Sequence, residues 1–364
     1  MIIVKNLSIV IASAGLMVLA AAAEAKAVSL KFERIIGDTS GLGQLKLPQG
    51  IDIQEGTGNV YISDSDNDRV AVFDPEGKFL LDFGQDQVDE TADLEFNDTT
   101  GQIFVGDVRN NQIDVFEPNG TYVRSFGEFT IDSPRFFKGP GGVAFSPDFE
   151  TFYVNDYAAD RILAFDSETG SQTDVIGKSG NAPGQLLGPS GLSVSKTSGN
   201  LYISEQLNSR IQVLTKAGES RGIIGQPSPR PLDPFAPVPD LEPGVLTGPV
   251  AVEVDNNNNI YVGDTQNNRL QVFAPSGEVL TVVDEIPAEP PTFFWTVGAH
   301  YEDGKFYSSD FFNNRVVAYE VVPEPSSVLG IGVLGVGVAA GKLLRKHRRQ
   351  KSAISLTNEP QKTA

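Results

Sequence analysis

Residues 61–73 read YISDSDNDRVAVF, and the same pattern occurs six times along the chain. Each copy has an apolar stretch that ends in an acid, a turn of four residues, and a second apolar stretch that usually begins with arginine. The copies start at Tyr61, Phe104, Tyr153, Tyr202, Tyr261 and Tyr307. Self-similarity at a period of 43 to 59 residues indicates a repeat architecture.

The turns divide each repeat into four short strands. An asparagine three residues after the acid, as at Asn67, suits a hairpin, because Asn and Asp tolerate left-handed backbone. A second turn such as Pro75-Glu76-Gly77 follows, and a Pro-x-Gly segment such as Pro48-Gln49-Gly50 precedes the pattern. The apolar residues are β-branched or aromatic and alternate with polar ones. The sequence therefore predicts an all-β, six-bladed β-propeller of four-stranded antiparallel blades.

The closure of the ring is predicted from a strand without a partner in its own repeat. Residues 29–36 precede the first Pro-x-Gly segment, whereas no fourth strand follows Tyr319. We expect residues 29–36 to supply the outer strand of the last blade, which removes an open sheet edge.

The six copies resemble the NHL repeat, whose members read much like Tyr-Val-x-Asp-x-x-Asn-x-Arg-Ile-x-Val-Phe. The resemblance covers residues 29–321 and implies an NHL-type β-propeller over residues 28–321. The second copy departs from the pattern, with Gln112 in place of arginine.

The amino-terminal residues 1–27 read as a secretory signal peptide. Lys5 is followed by an apolar run from Leu7 to Ala23, and Ala25-Lys26-Ala27 offers small residues for cleavage before Val28. An uncleaved membrane anchor is the alternative. The sequence thus predicts export from the cytoplasm.

Residues 322–351 combine three features in a fixed order: Pro323-Glu324-Pro325, an apolar run from Val328 to Gly341, and a basic cluster that ends at Lys351. A polar tail, 352–364, follows. This arrangement resembles the PEP-CTERM sorting signal, which implies processing by an exosortase-type enzyme at the surface of an exopolysaccharide-producing bacterium. A retained transmembrane helix that anchors the chain is the alternative, although the apolar run is short for a span.

Charge limits the classes of partner. Residues 28–340 hold 19 Lys or Arg and 45 Asp or Glu, a net charge of −26. Such a field repels phosphate backbones, so we predict no nucleic-acid binding, and it favours cations and basic partners. The chain has no cysteine, so no disulfide braces the fold.

The candidate ligand-binding residues lie at the repeated hairpins, which a propeller brings to one face. They are Arg69, Gln112, Arg161, Arg210, Arg269 and Arg315. The structural alternative, which the repetition favours, is that each arginine satisfies its own turn. Trp295 and Phe312 are further candidates, because Phe312 lies within a hairpin, Trp295 is the only tryptophan, and exposed rings stack on sugars.

No catalytic residue is assigned, and two functions stay open. Only His300 and His347 exist, so a three-His zinc site is excluded, as is the His-ligated chemistry of the amidating lyases that share the fold. Related six-bladed lactonases hold calcium through Glu, Asp and Asn, which leaves Ca²⁺ open as a cofactor. The first hypothesis is a noncatalytic binding or scaffolding propeller at the cell surface, engaging an extracellular polysaccharide or protein. The second is a divalent-metal-dependent hydrolase that uses carboxylates in the channel.

Overall fold

The computed structural model describes residues 28–37, 40–129, 139–228 and 242–323. They form six four-stranded antiparallel sheets, each a blade whose first strand is innermost and whose fourth is outermost. This confirms the predicted fold class. The first five blades comprise Pro48–Ile53, Val60–Asp64, Arg69–Phe73 and Phe79–Phe83; Thr91–Asn97, Gln102–Asp107, Gln112–Phe116 and Tyr122–Phe126; Pro140–Phe145, Thr151–Asp156, Arg161–Asp166 and Gln172–Ile176; Pro189–Val194, Leu201–Glu205, Arg210–Leu214 and Ser220–Ile224; and Val252–Val254, Ile260–Asp264, Arg269–Phe273 and Val279–Val283.

The sixth blade joins the two ends of the described chain. Its inner three strands are Thr296–Glu302, Lys305–Asp310 and Arg315–Pro323, and its outer strand is Val28–Ile36. Ile36 pairs with Val316 and Val28 pairs with Pro323. The closure predicted for residues 29–36 is therefore confirmed.

Outside the blades, a two-stranded parallel pair links Gln226–Pro227 to Val245–Leu246. Four of the hairpins between second and third strands hold a single 3₁₀ turn, at Ser65–Asn67, Tyr157–Ala159, Thr265–Asn267 and Phe311–Asn313. Across the four described ranges, no helix is long and apolar enough to cross a membrane. The predicted signal peptide, residues 229–241 and the sorting signal beyond Pro323 lie outside the described residues.

The hydrophobic core lies between blades. Because successive strand residues point to opposite sheet faces, each second strand contributes to two clusters. Ile62 of the first blade packs with Val316 of the sixth, while its neighbour Tyr61 packs with Phe96 of the second. Every blade therefore needs both of its neighbours, and the ring is stable only when it is closed.

Adjacent inner strands approach each other closely near the axis. A Cβ atom at Gly298 would overlap the carbonyl oxygen of Gln49, and one at Gly191 would overlap that of Val250. Glycine is required there because each of these oxygens belongs to the backbone of the next blade.

The closing strand gives the first testable expectation. Ile36 is 1% exposed and packs at the junction of the first and sixth blades, so Ile36→Ala should lower the free energy of unfolding by about 2–4 kcal/mol. Lys31→Ala on the same strand is the control, since the Lys31–Glu320 ion pair is exposed. Urea unfolding of both variants measures the difference. Equal stability of the two variants would contradict closure by this strand.

Candidate functional site

Each hairpin between a second and a third strand is built on one buried acid. In the sixth blade the Asp310 carboxylate accepts hydrogen bonds from Asn313 Nδ2 (2.9 Å), Arg315 Nε (2.8 Å) and the amide of Phe294 (2.7 Å). Asp64, Glu205 and Asp264 repeat this arrangement. The acid thus holds its turn, its arginine and the loop that enters the blade.

Four of the six predicted hairpin residues lie inside the protein. They are Arg69, Arg210, Arg269 and Arg315, each at most 8% exposed. Besides the ion pair, their guanidinium groups donate to loop carbonyls: Arg315, for example, donates to Glu289 and Pro290 at 3.0 and 2.7 Å. These contacts support the structural role for the four arginines, because their guanidinium groups face protein rather than solvent.

Two of the predicted residues differ. Arg161 pairs with Asp156 at 2.9 Å, but its side chain is 36% exposed. Gln112 donates its amide to Asp114 Oδ1 at 3.0 Å instead of to the acid of its own turn. The structure places all six residues around one face and brings no two of them into contact.

A second set of contacts fastens five of the six blades to the next one. The residue four positions after the acid adopts a left-handed backbone. Its side chain accepts the amide hydrogen of the residue just before the next inner strand or, in the fifth blade, of Gly248, which lies four residues before that strand. That donor residue also has positive φ. We call these contacts the staples; they are Asp68 with Glu90, Asp160 with Gly188, Ser209 with Gly248, Asn268 with Trp295, and Asn314 with Leu47.

The residues at the donor position, which all six blades have, differ in conformational cost. Glycine adopts positive φ freely, and it occupies this position in three blades, at Gly139, Gly188 and Gly248. In the other three blades the position holds Leu47, Glu90 and Trp295, with φ of 50°, 60° and 65°. A bulky residue in this region costs about 1–2 kcal/mol. The largest side chain in the protein therefore occupies a position for which glycine is favoured.

Trp295 belongs to a cluster of four rings, which we call the blade 6 aromatic patch: Phe294, Trp295, Phe311 and Phe312. The centroid of Phe312 lies 4.8 Å from that of Phe294 and 5.3 Å from that of Trp295. Phe294 and Phe312 are 37% and 36% exposed. The structure therefore brings together the two aromatic residues predicted from the sequence, Trp295 and Phe312.

The backbone fixes this patch. The amides of Phe311 and Phe312 donate to the carbonyls of Trp295 and Phe294 at 2.9 and 3.1 Å. Other blades form the same backbone contacts without aromatic side chains: the second blade has Asp89, Glu90, Val108 and Arg109 at these four positions. The blade architecture therefore does not require four rings.

The central channel contains a second candidate site, on the side of the hairpins that join first and second strands. Its cavity has a volume of about 310 Å³. One ring of inner-strand residues pairs directly with the aromatic residue that begins each repeat. This ring comprises Asp52, Glu95, Ala144, Ser193, Glu253 and His300.

The sequence reasoning placed carboxylates in the channel without assigning them. The signal was available in the register, since Asp52, Glu95, Ala144 and Ser193 each lie nine residues before the aromatic residue of their repeat. It was missed because the inner strands differ between blades and their residues are not part of the repeated motif.

Backbone amides donate hydrogen bonds to two of the channel carboxylates. Asp52 accepts hydrogen bonds from the amides of Ile53 (2.6 Å) and Phe96 (2.7 Å), and Asp93 accepts from Leu94 (3.0 Å) and Val143 (3.1 Å). Phe96 and Val143 each belong to the next blade. These carboxylates therefore satisfy amides at the free edge of the inner strands.

Burial controls ionisation in the channel. Burial raises the pKa of Asp52 and of Asp93 to about 7 and that of Glu253 to about 8, and it lowers the pKa of His300 to about 4. His300 Nε2 lies 3.2 Å from Asp52 Oδ1 without forming a hydrogen bond. The imidazole is therefore neutral at neutral pH, and several carboxyls titrate there.

The fit of a divalent ion can be tested on these donors. Within the part of the chain that the structure describes, no three His, Cys, Asp or Glu side chains are grouped to hold a metal ion. Asp52 and Asp93 already hold backbone amides at both oxygens. Asp52 and Asp93 therefore do not fit a resident calcium ion in this arrangement.

The comparisons with known proteins agree with this architecture. The family described as SMP-30/gluconolactonase/LRE-like region matches residues 85–242, and the NHL repeat matches residues 246–273. Together with the six blades, these two matches support a propeller of the NHL type. No curated protein matches the chain in sequence.

Several solved structures are similar to this propeller. A catalytically inactive histidine-to-alanine variant of virginiamycin B lyase from Staphylococcus aureus, with quinupristin, is 13% identical over 81% of this chain and 100% of that chain, with a TM-score of 0.54. A protein of unknown function from Bacteroides thetaiotaomicron is 18% identical over 82% and 76%, with a TM-score of 0.59. A chain of the nidogen/laminin complex is 16% identical over 75% and 94%, with a TM-score of 0.56. At these identities the likeness shows the fold alone.

The channel pKa shifts give a testable pH dependence. Asp52, Asp93 and Glu253 bind protons in the folded state at pH values where the unfolded chain has released them, so they stabilise the fold most at acidic pH. This stability is lost as pH rises through about 7 to 8. We expect the free energy of unfolding to fall by about 1–3 kcal/mol from pH 5.5 to pH 8.5.

Urea unfolding at constant ionic strength measures this trend. Glu253→Gln removes one of the titrating groups and should make the dependence shallower, whereas Glu278→Gln in an exposed turn is the control. Stability that rises over this pH range would contradict the shifted ionisation.

Proposed function

We propose that the protein is an exported, noncatalytic binding propeller of the cell surface or extracellular matrix, which holds a polysaccharide or protein partner at the blade 6 aromatic patch. The proposal rests on the conformation and surroundings of Trp295. This residue has φ of 65° at a position where three other blades have glycine, and it adjoins two phenylalanines that are each more than one-third exposed. Leu47 and Glu90 have a similar φ at this position, but at Trp295 the strained residue also belongs to a partly exposed aromatic cluster, which points to a use for its side chain.

The chemistry of the patch suits a sugar face or an apolar protein segment. Aromatic rings supply a large contact area with few rotatable bonds, so they lose little entropy on binding. The backbone hydrogen bonds between Phe294 or Trp295 and Phe311 or Phe312 hold the rings before a partner arrives. Such preorganisation lowers the entropic cost of association.

The proposed location rests on the two ends of the sequence. The signal-peptide pattern in residues 1–27 directs export, and the sorting pattern beyond Val322 directs processing by an exosortase-type enzyme or retention in a membrane. Val28 pairs with Pro323, so the two ends leave the propeller from the same blade. Attachment through this blade edge leaves the face of the aromatic patch open.

Fluorescence tests the proposed binding site directly, because Trp295 is the only tryptophan in the chain. Addition of the matching polysaccharide, selected on a glycan array, or of a purified matrix protein should shift or quench its emission. Phe312→Ala should weaken binding at least tenfold, since it removes a ring that contacts the other three.

Trp295→Gly separates binding from folding. Glycine relieves the left-handed strain, so we expect the free energy of unfolding to stay within about 1 kcal/mol of the original while binding is lost. Tyr122→Ala is the control, because Tyr122 is 43% exposed on the outer strand of another blade. Unchanged affinity of the Trp295→Gly and Phe312→Ala variants for every captured ligand would contradict the proposal.

A hydrolase that works in the channel is the second candidate. The 310 Å³ cavity and the 3.2 Å approach of His300 to Asp52 favour it, since a neutral imidazole beside a carboxyl can act as a base. The backbone contacts of the carboxylates count against its metal-dependent form.

Calorimetric titration with Ca²⁺ separates the two candidates. The binding propeller predicts no saturable heat from the channel. A stoichiometric heat that Asp52→Asn and Glu253→Gln both remove, with Glu278→Gln unchanged, would favour the hydrolase.

A further inference from the structure

The second blade lacks the positive charge that the repeat supplies elsewhere. Gln112 replaces the arginine, and two residues later the chain has a carboxylate, Asp114. In the fourth and fifth blades the equivalent residues, Gln212 and Gln271, donate to the turn acid, and Asp114 likewise lies beside Asp107. The residues equivalent to Asp114 in the other blades are uncharged: Ala71, Leu163, Gln212, Gln271 and Val317. This blade therefore has one acid more and one cation fewer than its neighbours.

Both carboxyl groups are fully buried, at 0% exposure. Asp107 accepts hydrogen bonds from Asn110 Nδ2 at 2.7 Å and from the amide of Asp89 at 3.1 Å. Asp114 Oδ1 accepts from Gln112, but Asp114 Oδ2 is buried without a donor. Two ionised carboxylates in this position would repel each other with no water to screen them.

The cations on the surrounding elements are turned away from this pair. Arg109 of the hairpin is 64% exposed and pairs with Asp89 and Glu90 of the entering loop. Arg124 of the outer strand lies over Phe104 and Phe126 and donates to the carbonyl of Ser167.

The other acids of this blade's inner strand do not face the pair. The inner strand carries Asp93 and Glu95, which face the channel. Among the described residues, no Lys, Arg or His forms an ion pair with Asp107 or Asp114, and Asp107 is the charged group that acts on Asp114.

We propose that Asp107 and Asp114 share one proton, which takes the place of the missing arginine and makes the second blade a pH-sensitive latch. With the proton bound, one carboxyl donates to the other and one negative charge is removed. Burial, and next the hydrogen bond and charge of Asp107, raise the pKa of Asp114 to about 8. The latch therefore holds at acidic and neutral pH and weakens as pH rises through that value.

The position of the pair decides what the latch controls. Asp107 holds the loop that enters the second blade through the amide of Asp89. At the following junction, Asn111 donates its amide to the carbonyl of Phe129, and its own oxygen has no donor among the described atoms. Loss of the shared proton thus weakens the second blade, whose junction with the third blade has no staple among the described residues.

Urea unfolding of the full chain from pH 5 to pH 8.5 tests the latch with Asp114→Asn and Gln112→Arg. Asparagine donates to Asp107 at every pH, and arginine restores the charge of the repeat. One linked proton means that the ratio of the unfolding constants, original chain over variant, should rise by up to tenfold per pH unit approaching pH 8. The channel acids titrate equally in all three proteins and cancel in this ratio.

Infrared spectroscopy at pH 7 gives a readout that does not depend on variant stability. The carbonyl stretch of a protonated carboxyl should be present in the original chain and reduced in Asp114→Asn. A ratio that does not change with pH, together with an unchanged infrared band, would overturn the proposal. Stability at pH 8.5 that is restored by Ca²⁺, and not in Gln112→Arg, would show that a cation rather than a proton neutralises the pair.

Discussion

The propeller depends on the contact by which five of its six blades hold the next one. A buried acid fixes the hairpin, and the residue four positions later accepts the first amide of the next blade. Each hydrophobic cluster is formed by residues of two neighbouring blades. This contact therefore sets the distance between the two blades whose side chains pack in the cluster. The same kind of contact closes the ring, since Asn314 of the sixth blade accepts the amide hydrogen of Leu47 before the first blade. The turn that follows the acid therefore joins sheets as well as strands.

This contact helps to distinguish residues that stabilise the fold from residues that the fold positions for another role. Four arginines of the repeat are buried in ion pairs, and removal of one partner from such a pair costs several kcal/mol. Trp295 lies just before the inner strand of the sixth blade, at a position where the backbone favours glycine. Its indole ring contributes to a partly exposed aromatic cluster. The backbone contacts of the propeller thus hold the aromatic patch in place.

The repeat made the fold predictable from the sequence. The Tyr-x-x-Asp stretch alternates between two blade interfaces, and the unmatched strand at residues 29–36 showed how the ring closes. Trp295 and Phe312 were predicted as candidates, although their contact and the backbone strain at Trp295 needed coordinates. The channel ring was not found, because Glu95 and His300 lie on inner strands outside the motif, and only strand register places them in one layer.

Amide hydrogen exchange at Trp295 tests the central claim most directly. If the staple from Asn268 joins the fifth and sixth blades, this amide should exchange only through global unfolding, as slowly as amides of the second strands. Asn268→Gly should then speed its exchange while the Leu47 amide stays protected. Exchange at Trp295 as fast as at an exposed outer-strand amide would contradict the account, because the face that carries the aromatic patch would then not be fixed by the ring.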